Sequence, residues 1–294
     1  MDKKFTLMTD EKADLPKSFK EENDIYVIPV PYFIDEVEYS TVNGNKHDIK
    51  EFYDIMRKGA MPTTSHINPV IGEQMIEECL GYGKDILIVG FSSALSASYF
   101  REKSIADEFN KNPDNPRIYV IDSKMATQGQ TLMVWHANRL REEGKTAKEV
   151  YDWLTEHGDE FCAYFTPNDL FHLQRGGRVS KASALMGTML GIKPILHIDI
   201  DGKLTALDKV RGRKAALDAL VDHMVEKTQG IQNDMVTIGH GDCYDDAVYV
   251  MEEVKKRTPC KNFMIDYIGP VIGTHAGPGT VALFFMGDTR AEKK

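Results

Sequence analysis

The chain has 294 residues, enough for two α/β domains with separate cores or for one large domain. Its net charge of −9 argues against a nucleic-acid partner, which calls for a basic face. No apolar run reaches the ~20 residues of a membrane span, and Met1-Asp2-Lys3-Lys4-Phe5-Thr6-Leu7 lacks the apolar core of an export signal, so a cytoplasmic protein is expected.

In chain order, residues 5–9 read as a short strand ending at Asp10, and Ala13-Asp14-Leu15-Pro16 turns the chain into a short helix. Residues 25–30 form a second strand. Residues 33–40, followed by Asn43-Gly44-Asn45, carry hairpin chemistry. Asp48 and Glu51 form a capping box that opens a helix to about residue 58. Asn68 as N-cap and Pro69 in the first turn open another, running to about residue 80. Thr64 and Ser65 therefore lie on a polar loop that feeds a helix N-terminus. Such a loop offers hydroxyls and backbone N–H groups to an anion, although capping alone also accounts for it.

Residues 85–90 form a buried strand, and Phe91-Ser92-Ser93-Ala94-Leu95-Ser96-Ala97 leads into a helix to about residue 109. That order sets hydroxyls and amides at the carboxyl end of a parallel strand, where open α/β sheets bind ligands. A strand at 118–121, a long helix from Thr127 to about residue 143 and a capping box at Thr146 and Glu149 complete a doubly wound first half. His157-Gly158-Asp159 is the expected boundary, giving domains of residues 1–158 and 159–294.

The second half reads as mixed α/β. It has a strand at 161–165, a short helix at 169–173, the basic loop Gly176-Gly177-Arg178 and a small apolar helix at 182–190. A hairpin through Asp201-Gly202 follows, then helices at 211–227 and 244–257 and strands at 235–239, 263–268 and 281–286. Between the last two strands, residues 268–280 hold four glycines, two prolines and His275. We read this as strand, constrained loop, strand, with glycines that let backbone approach a ligand and prolines that stiffen the turn. His275 presents N–H donors, two when protonated, suited to a carboxylate or phosphate.

Cofactor fingerprints are absent: no G-x-G-x-x-G follows a strand, and Gly187 to Lys193 falls one residue short of a phosphate-binding loop. Cys79, Cys162, Cys243 and Cys260 form no C-x-x-C pair and read as reduced thiols. His240-Gly241-Asp242-Cys243 is half of a metal site without a second half, so no metal is expected. A serine esterase or thioesterase is the sharpest alternative enzyme. Ser92 sits between a buried strand and a helix, as at a nucleophile elbow, with His275 downstream and Asp199, Asp242 or Asp266 as third member. The elbow's second glycine is missing.

Several separated motifs together resemble the DegV family of bacterial fatty-acid-binding proteins. They are Thr9-Asp10 with Ala13-Asp14-Leu15-Pro16, Pro62-Thr63-Thr64-Ser65, Ser92-Ser93-Ala94-Leu95-Ser96, Asp122-Ser123-Lys124 and Gly176-Gly177-Arg178. Ile192-Lys193-Pro194-Ile195-Leu196, Lys209 with Arg211, and the His275 stretch complete the run. Glu11 stands where the family usually has serine, His66 where it has glutamine, and Ala97-Ser98 where it has Gly-Thr.

The resemblance implies two α/β domains, the first mainly parallel and doubly wound, the second a mixed sheet with helices, holding a long-chain fatty acid between them. It implies that the hydroxyls of Thr64 and Ser96 and the Ala97 amide hold the carboxylate, with Ser65 on the same loop and His275 approaching from the second domain. Arg178 and Arg211 would contact a phosphate or a partner. Such proteins present the acid, of C16–C18 length, to a separate ATP-binding fatty-acid kinase subunit that forms acyl phosphate for phospholipid synthesis. They hold no cofactor of their own, and a transient visit to a membrane surface suits the cargo. A third reading is a lipid-sensing regulator.

Burial of a fifteen-methylene tail contributes an upper figure on the order of 12 kcal/mol, from ~0.8 kcal/mol per methylene before binding costs. The tail thus supplies affinity and the head sets orientation. Candidate tunnel residues are Phe33, Phe91, Leu185, Met186, Met189, Leu190, Ile195 and Phe285, with methionines suited to varied tails.

Overall fold

The computed structural model describes residues 3–42, 44–168, 170–179 and 191–292. The expected apolar helix at 182–190, with Leu185, Met186, Met189 and Leu190, lies outside the described residues.

The first half builds a four-stranded parallel sheet. Strand β1 (Thr6–Asp10) passes through a 3₁₀ turn into α1 (Lys17–Glu22) and returns as β2 (Ile25–Ile28). A small antiparallel sheet branches off: β3 (Tyr32–Ile34), β4 (Val37–Tyr39) and, after α2 (Ile49–Arg57), β5 (Thr63–Thr64). Then come α3 (Pro69–Leu80), β6 (Ile86–Gly90), α4 (Ser98–Phe109), β7 (Ile118–Asp122), α5 (Gln128–Glu142) and α6 (Ala147–Glu156). The sheet order is β2-β1-β6-β7, so the topological switch falls between β1 and β6.

Asn43 lies outside the described residues, and Ser40 and Asn45 on either side of that stretch form an antiparallel bridge, with the Ser40 N–H on the Asn45 carbonyl at 2.8 Å; the tight turn of the small sheet comes earlier. Ile34 pairs with Val37 across the two-residue turn Asp35-Glu36, whose φ values are 49° and 64°. Both lie in the left-handed region that a tight two-residue turn needs, taken here by two carboxylate residues rather than by glycine.

The second half forms a six-stranded mixed sheet, ordered β10-β9-β8-β13-β11-β12. Its members are β8 (Phe161–Thr166), β9 (Ile192–Ile198), β10 (Leu204–Arg211), β11 (Val236–His240), β12 (Phe263–Tyr267) and β13 (Val281–Met286). The helices are α7 (Phe171–Arg175), α8 (Arg213–Lys227), α9 (Tyr244–Arg257) and α10 (Pro270–Ala276). The glycine- and proline-rich stretch is thus not a plain loop: Pro270 occupies the first turn of α10, and Gly277, at φ 79°, ends it.

Helix α5 lies between the two sheets, and most of its residues are buried. Leu132, Met133, Val134 and Ala137 share one apolar cluster with Leu7, Leu87 and Val89 of the first sheet and Phe161, Ala163 and Phe284 of the second. Its buried polar groups are used as ties. Gln130 Nε2 donates to Thr9 Oγ1 at 2.9 Å and to the Val89 carbonyl at 3.0 Å, while Thr237 Oγ1 donates to the Gln128 carbonyl at 2.7 Å. A second cluster, under α8 and α9, covers the other face of the six-stranded sheet.

Candidate functional site

The carboxyl ends of β1 and β6 face β9, β10, β13 and α10 of the second half, and a largely apolar cavity lies between them. Phe91, Leu95, Phe165, Ile198, Leu204, Ile272 and Phe284 supply apolar wall, and Lys12, Thr64, Ser65, His66, Ser96, Arg178 and His275 supply polar groups.

Strand parity decides which side chains reach the cavity. Ile198 of β9 and Phe284 of β13 line it, whereas Ile195 and Phe285 point to the opposite face, into the cluster under α8 and α9. The tunnel assignment of Ile195 and Phe285 is therefore corrected, because neighbouring residues on a strand face opposite sides. Phe33 sits half-buried in the small sheet and Phe91 reaches the cavity.

Pairing of Thr64 with Tyr32 fixes the short strand β5, and α10 carries His275 in its last turn. Together they bring Thr64 Oγ1 and His275 Nε2 to 2.9 Å, across 211 residues of chain. Arg175 steadies the junction, its Nη2 donating to the carbonyls of Pro62 at 2.9 Å and Thr274 at 3.3 Å. Sequence reasoning missed Arg175, whose partners are both backbone.

The structure gives His275 a protonation state that its sequence does not. Burial, helped by the charges of Arg178 and Arg175, pushes its pKa from 6.5 down to about 4, so the neutral ring faces the cavity at pH 7. Its Nδ1 has no hydrogen-bond partner among the described residues.

Ser96 Oγ lies 3.1 Å from Ser98 Oγ and 3.4 Å from His66 Nδ1, and it accepts the Ser98 N–H at 3.3 Å. His66 lines the same cavity, its pKa lowered by burial and then by Arg101, Lys12 and Arg178. Ser65 lies at the rim with its N–H on the Pro31 carbonyl at 3.3 Å, and Ala97 is an exposed residue beside Ser96 at the start of α4. Arg178 lines the cavity half-buried, donating from Nε to the Leu95 carbonyl at 3.3 Å and from Nη1 to the Gly176 carbonyl. Arg211 is elsewhere, exposed at the end of β10 opposite Ile192.

The serine-hydrolase pairing does not form. Ser92 is fully buried and its Oγ donates to the Gly202 carbonyl at 2.8 Å, while Ser93 Oγ donates to Asp122 at 2.5 Å. The His275 nitrogen that faces a hydroxyl is paired to Thr64. A nucleophile needs its base within hydrogen-bond reach, and Ser92 is held by a backbone carbonyl instead.

His240-Gly241-Asp242-Cys243 is a turn, with the Cys243 N–H donating to His240 Nδ1 at 3.3 Å. Among the described residues no group of three His, Cys, Asp or Glu side chains is placed to hold a metal ion, and no helix is long and apolar enough to cross a membrane.

Residues 4–288 match the family model described as DegV, an uncharacterised protein family. A DegV domain-containing protein of Clostridium perfringens is 38% identical over 288 residues, covering 98% of this chain and 99% of its own length. A solved DegV lipid-binding protein from Thermotoga maritima superposes with a TM-score of 0.84 at 28% identity, covering 98% of this chain and 99% of that one. DegV of Bacillus subtilis, described as a fatty-acid-binding protein, gives 0.83 at 28% identity, with 98% of this chain and all (100%) of that chain covered.

Proposed function

The chain belongs to the DegV family, and on that premise we propose that it binds a long-chain fatty acid in the cavity and presents the acid's carboxylate to a separate ATP-using kinase subunit. The observation that carries this reading is a largely apolar cavity that also presents Thr64, Ser96 and His275 to its contents. The tail is buried against Phe91, Ile198 and Phe284, and the hydroxyls of Thr64 and Ser96 donate to the carboxylate, with the Ser65 and Ala97 segments beside them. Division of the chain at residues 1–158 and 159–294 puts Thr64 and Ser96 in one domain and Arg178 and His275 in the other, so the ligand bridges both. Solved relatives described as lipid- or fatty-acid-binding support the ligand class.

A neutral His275 suits this task. The ring can hydrogen-bond beside the two hydroxyls without adding a further positive charge that would blunt the carboxylate's attack on a phosphoryl group. The protein then performs no bond-making itself. It acts in the cytosol with its kinase partner, and exposed Arg211 at the end of β10 is the proposed contact for that partner.

Native mass spectrometry of the purified protein, followed by organic extraction and lipid analysis, tests the reading. A mass excess that extracts as free C16–C18 fatty acid is expected. A ligand-free protein that takes up no added fatty acid overturns it.

A further inference from the structure

Beneath the polar wall of the cavity lies a cluster of charged groups that the reading above does not use. Lys12 follows β1 in the 3₁₀ turn, its side chain 4% exposed, with Nζ 3.0 Å from Asp10 Oδ1. The angles of that ion pair do not make a hydrogen bond, and Nζ has no hydrogen-bond acceptor among the described residues. Asp10 does not need the ammonium for its own satisfaction. Its Oδ1 already accepts the Lys12 N–H at 2.8 Å and its Oδ2 the Phe91 N–H at 3.2 Å. Lys12 Nζ lies 5.3 Å from the centroid of the Phe91 ring, another residue of the cavity wall.

Glu102 of α4 completes the cluster. It is 1% exposed, and its carboxyl lies within hydrogen-bond reach of the Asp10 carboxylate. It packs against Gly90, where a Cβ would stand 2.5 Å from its Oε2. Burial, and then the charge of Asp10, holds Glu102 well above the usual carboxylate range, so it is the neutral acid of the pair. The cluster is then one ammonium, one carboxylate and one neutral carboxyl, with no net charge. Arg178 adds one positive charge to the cavity, while His66 and His275 are both shifted toward the neutral form. Among the described residues that line the cavity, Lys12 and Arg178 are the cationic side chains and none is a carboxylate, a lining suited to an anion.

Burying an ion pair is a poor way to gain stability, since desolvation offsets most of the attraction. A buried ammonium with a donor to spare, lining a ligand cavity, is better explained by what enters that cavity. We propose that Lys12 is a charge-selecting contact of this site, its ammonium pairing with the carboxylate of the bound acid and so favouring acids over uncharged lipids of the same length. The inference rests on the fatty-acid reading above. It adds a determinant beyond the hydroxyls of Thr64 and Ser96, which bond a carboxylate more strongly than a neutral oxygen but still accept an alcohol or an ester, whereas an ammonium acts on the charge itself. Lys12 lines the same cavity as His66, whose Nδ1 is 3.4 Å from Ser96 Oγ, and as Thr64.

The test is displacement of a fluorescent fatty acid by octadecanoic acid and by octadecan-1-ol, on the wild type, Lys12→Met and Glu102→Gln. The wild type prefers the acid, and Lys12→Met narrows the acid-to-alcohol affinity ratio by about tenfold or more, equivalent to about 1.4 kcal/mol, with alcohol binding kept. Glu102→Gln, which changes no charge, keeps the wild-type ratio. An unchanged ratio in Lys12→Met overturns the proposal and leaves Lys12 a counterion of Asp10 only. If Lys12→Met fails to fold, Lys12→Gln removes the charge while keeping a donor toward Asp10, and the same ratio decides. A wild type that takes up neither molecule overturns the fatty-acid reading itself, which separates the two failures.

Discussion

Gly176 and His275 occupy adjoining space so tightly that a Cβ on residue 176 would overlap the imidazole Nδ1. Backbone freedom is not the reason for this glycine, because Gly176 has an ordinary φ of −72°. The first glycine of Gly176-Gly177-Arg178 is there to leave room for a ring 99 residues further on, and the ring is thereby held against Thr64.

Gly176→Ala is accordingly expected to displace His275 from Thr64 and let water reach the ring. The His275 pKa should rise from about 4 toward 6.5, read by NMR titration of the ring protons. Fatty-acid retention should fall with it. A ring that still titrates near 4 in the variant would show that the loop yields instead.

Ser96→Ala should weaken fatty-acid retention more than Ser92→Ala. Ser92 holds the Gly202 carbonyl from a fully buried position, so its loss costs stability, about 1–2 kcal/mol, with little change in ligand exchange. Melting curves and lipid retention on the same samples separate the two effects. Neither wild type nor variant should be labelled at serine by a fluorophosphonate.

Tyr53→Phe removes the donor to the Ile268 carbonyl, a 2.7 Å bond from α2 to the entrance of α10. Tyr53 is fully buried, so the orphaned carbonyl should lower stability by about 1–3 kcal/mol, measured by urea denaturation. His275→Ala should leave fatty-acid binding largely intact and impair phosphorylation by a partner kinase, because it removes a neutral contact and not a charge. Loss of binding in that variant would contradict the role proposed for the ring.

Acid sensitivity has a specific source in His136, buried among Trp135, Trp153 and Phe161. Burial, then Arg139 and His157, lowers its pKa from 6.5 to about 3. The unfolded chain takes up a proton below about 6.5 that the folded chain refuses. The stability this group contributes is therefore complete above pH 6.5 and lost as pH falls toward 3. His136→Phe should remove up to about 1.4 kcal/mol per pH unit of that dependence, seen as a difference in urea midpoints between variant and wild type from pH 6.5 to 4.

Much of the architecture was legible because local chemistry and tertiary packing agree. Asn68 and Pro69 mark α3 at its first residue, and helix α9 runs from Tyr244 to Arg257 as its pattern predicts. Thr64 and His275 were both readable as candidates, one from a helix-feeding loop and one from a constrained turn, and the fold brings their side chains to 2.9 Å. The turn at Asp35-Glu36 was not, because its second left-handed position is taken by glutamate where a glycine would have signalled the hairpin. Helix α10 hid in glycine and proline that also spell a loop. Ile195 and Phe285 were misplaced because an apolar run buried on both faces gives no parity. Lys12 and Glu102 drew no reading, since nothing local reveals that two charged residues 90 positions apart will both be buried beneath a cavity.

Helix α5 bears on how cargo gets in and out. It is a wall shared by both sheets, and Gly129 brings its backbone so near Phe284 that a Cβ would stand 2.6 Å from the ring. The halves cannot part like jaws without stripping Leu132, Met133, Val134 and Ala137 from one side or the other. On the proposed reading, an acyl chain would enter between the rim segments of the cavity and not through a parting of the two halves.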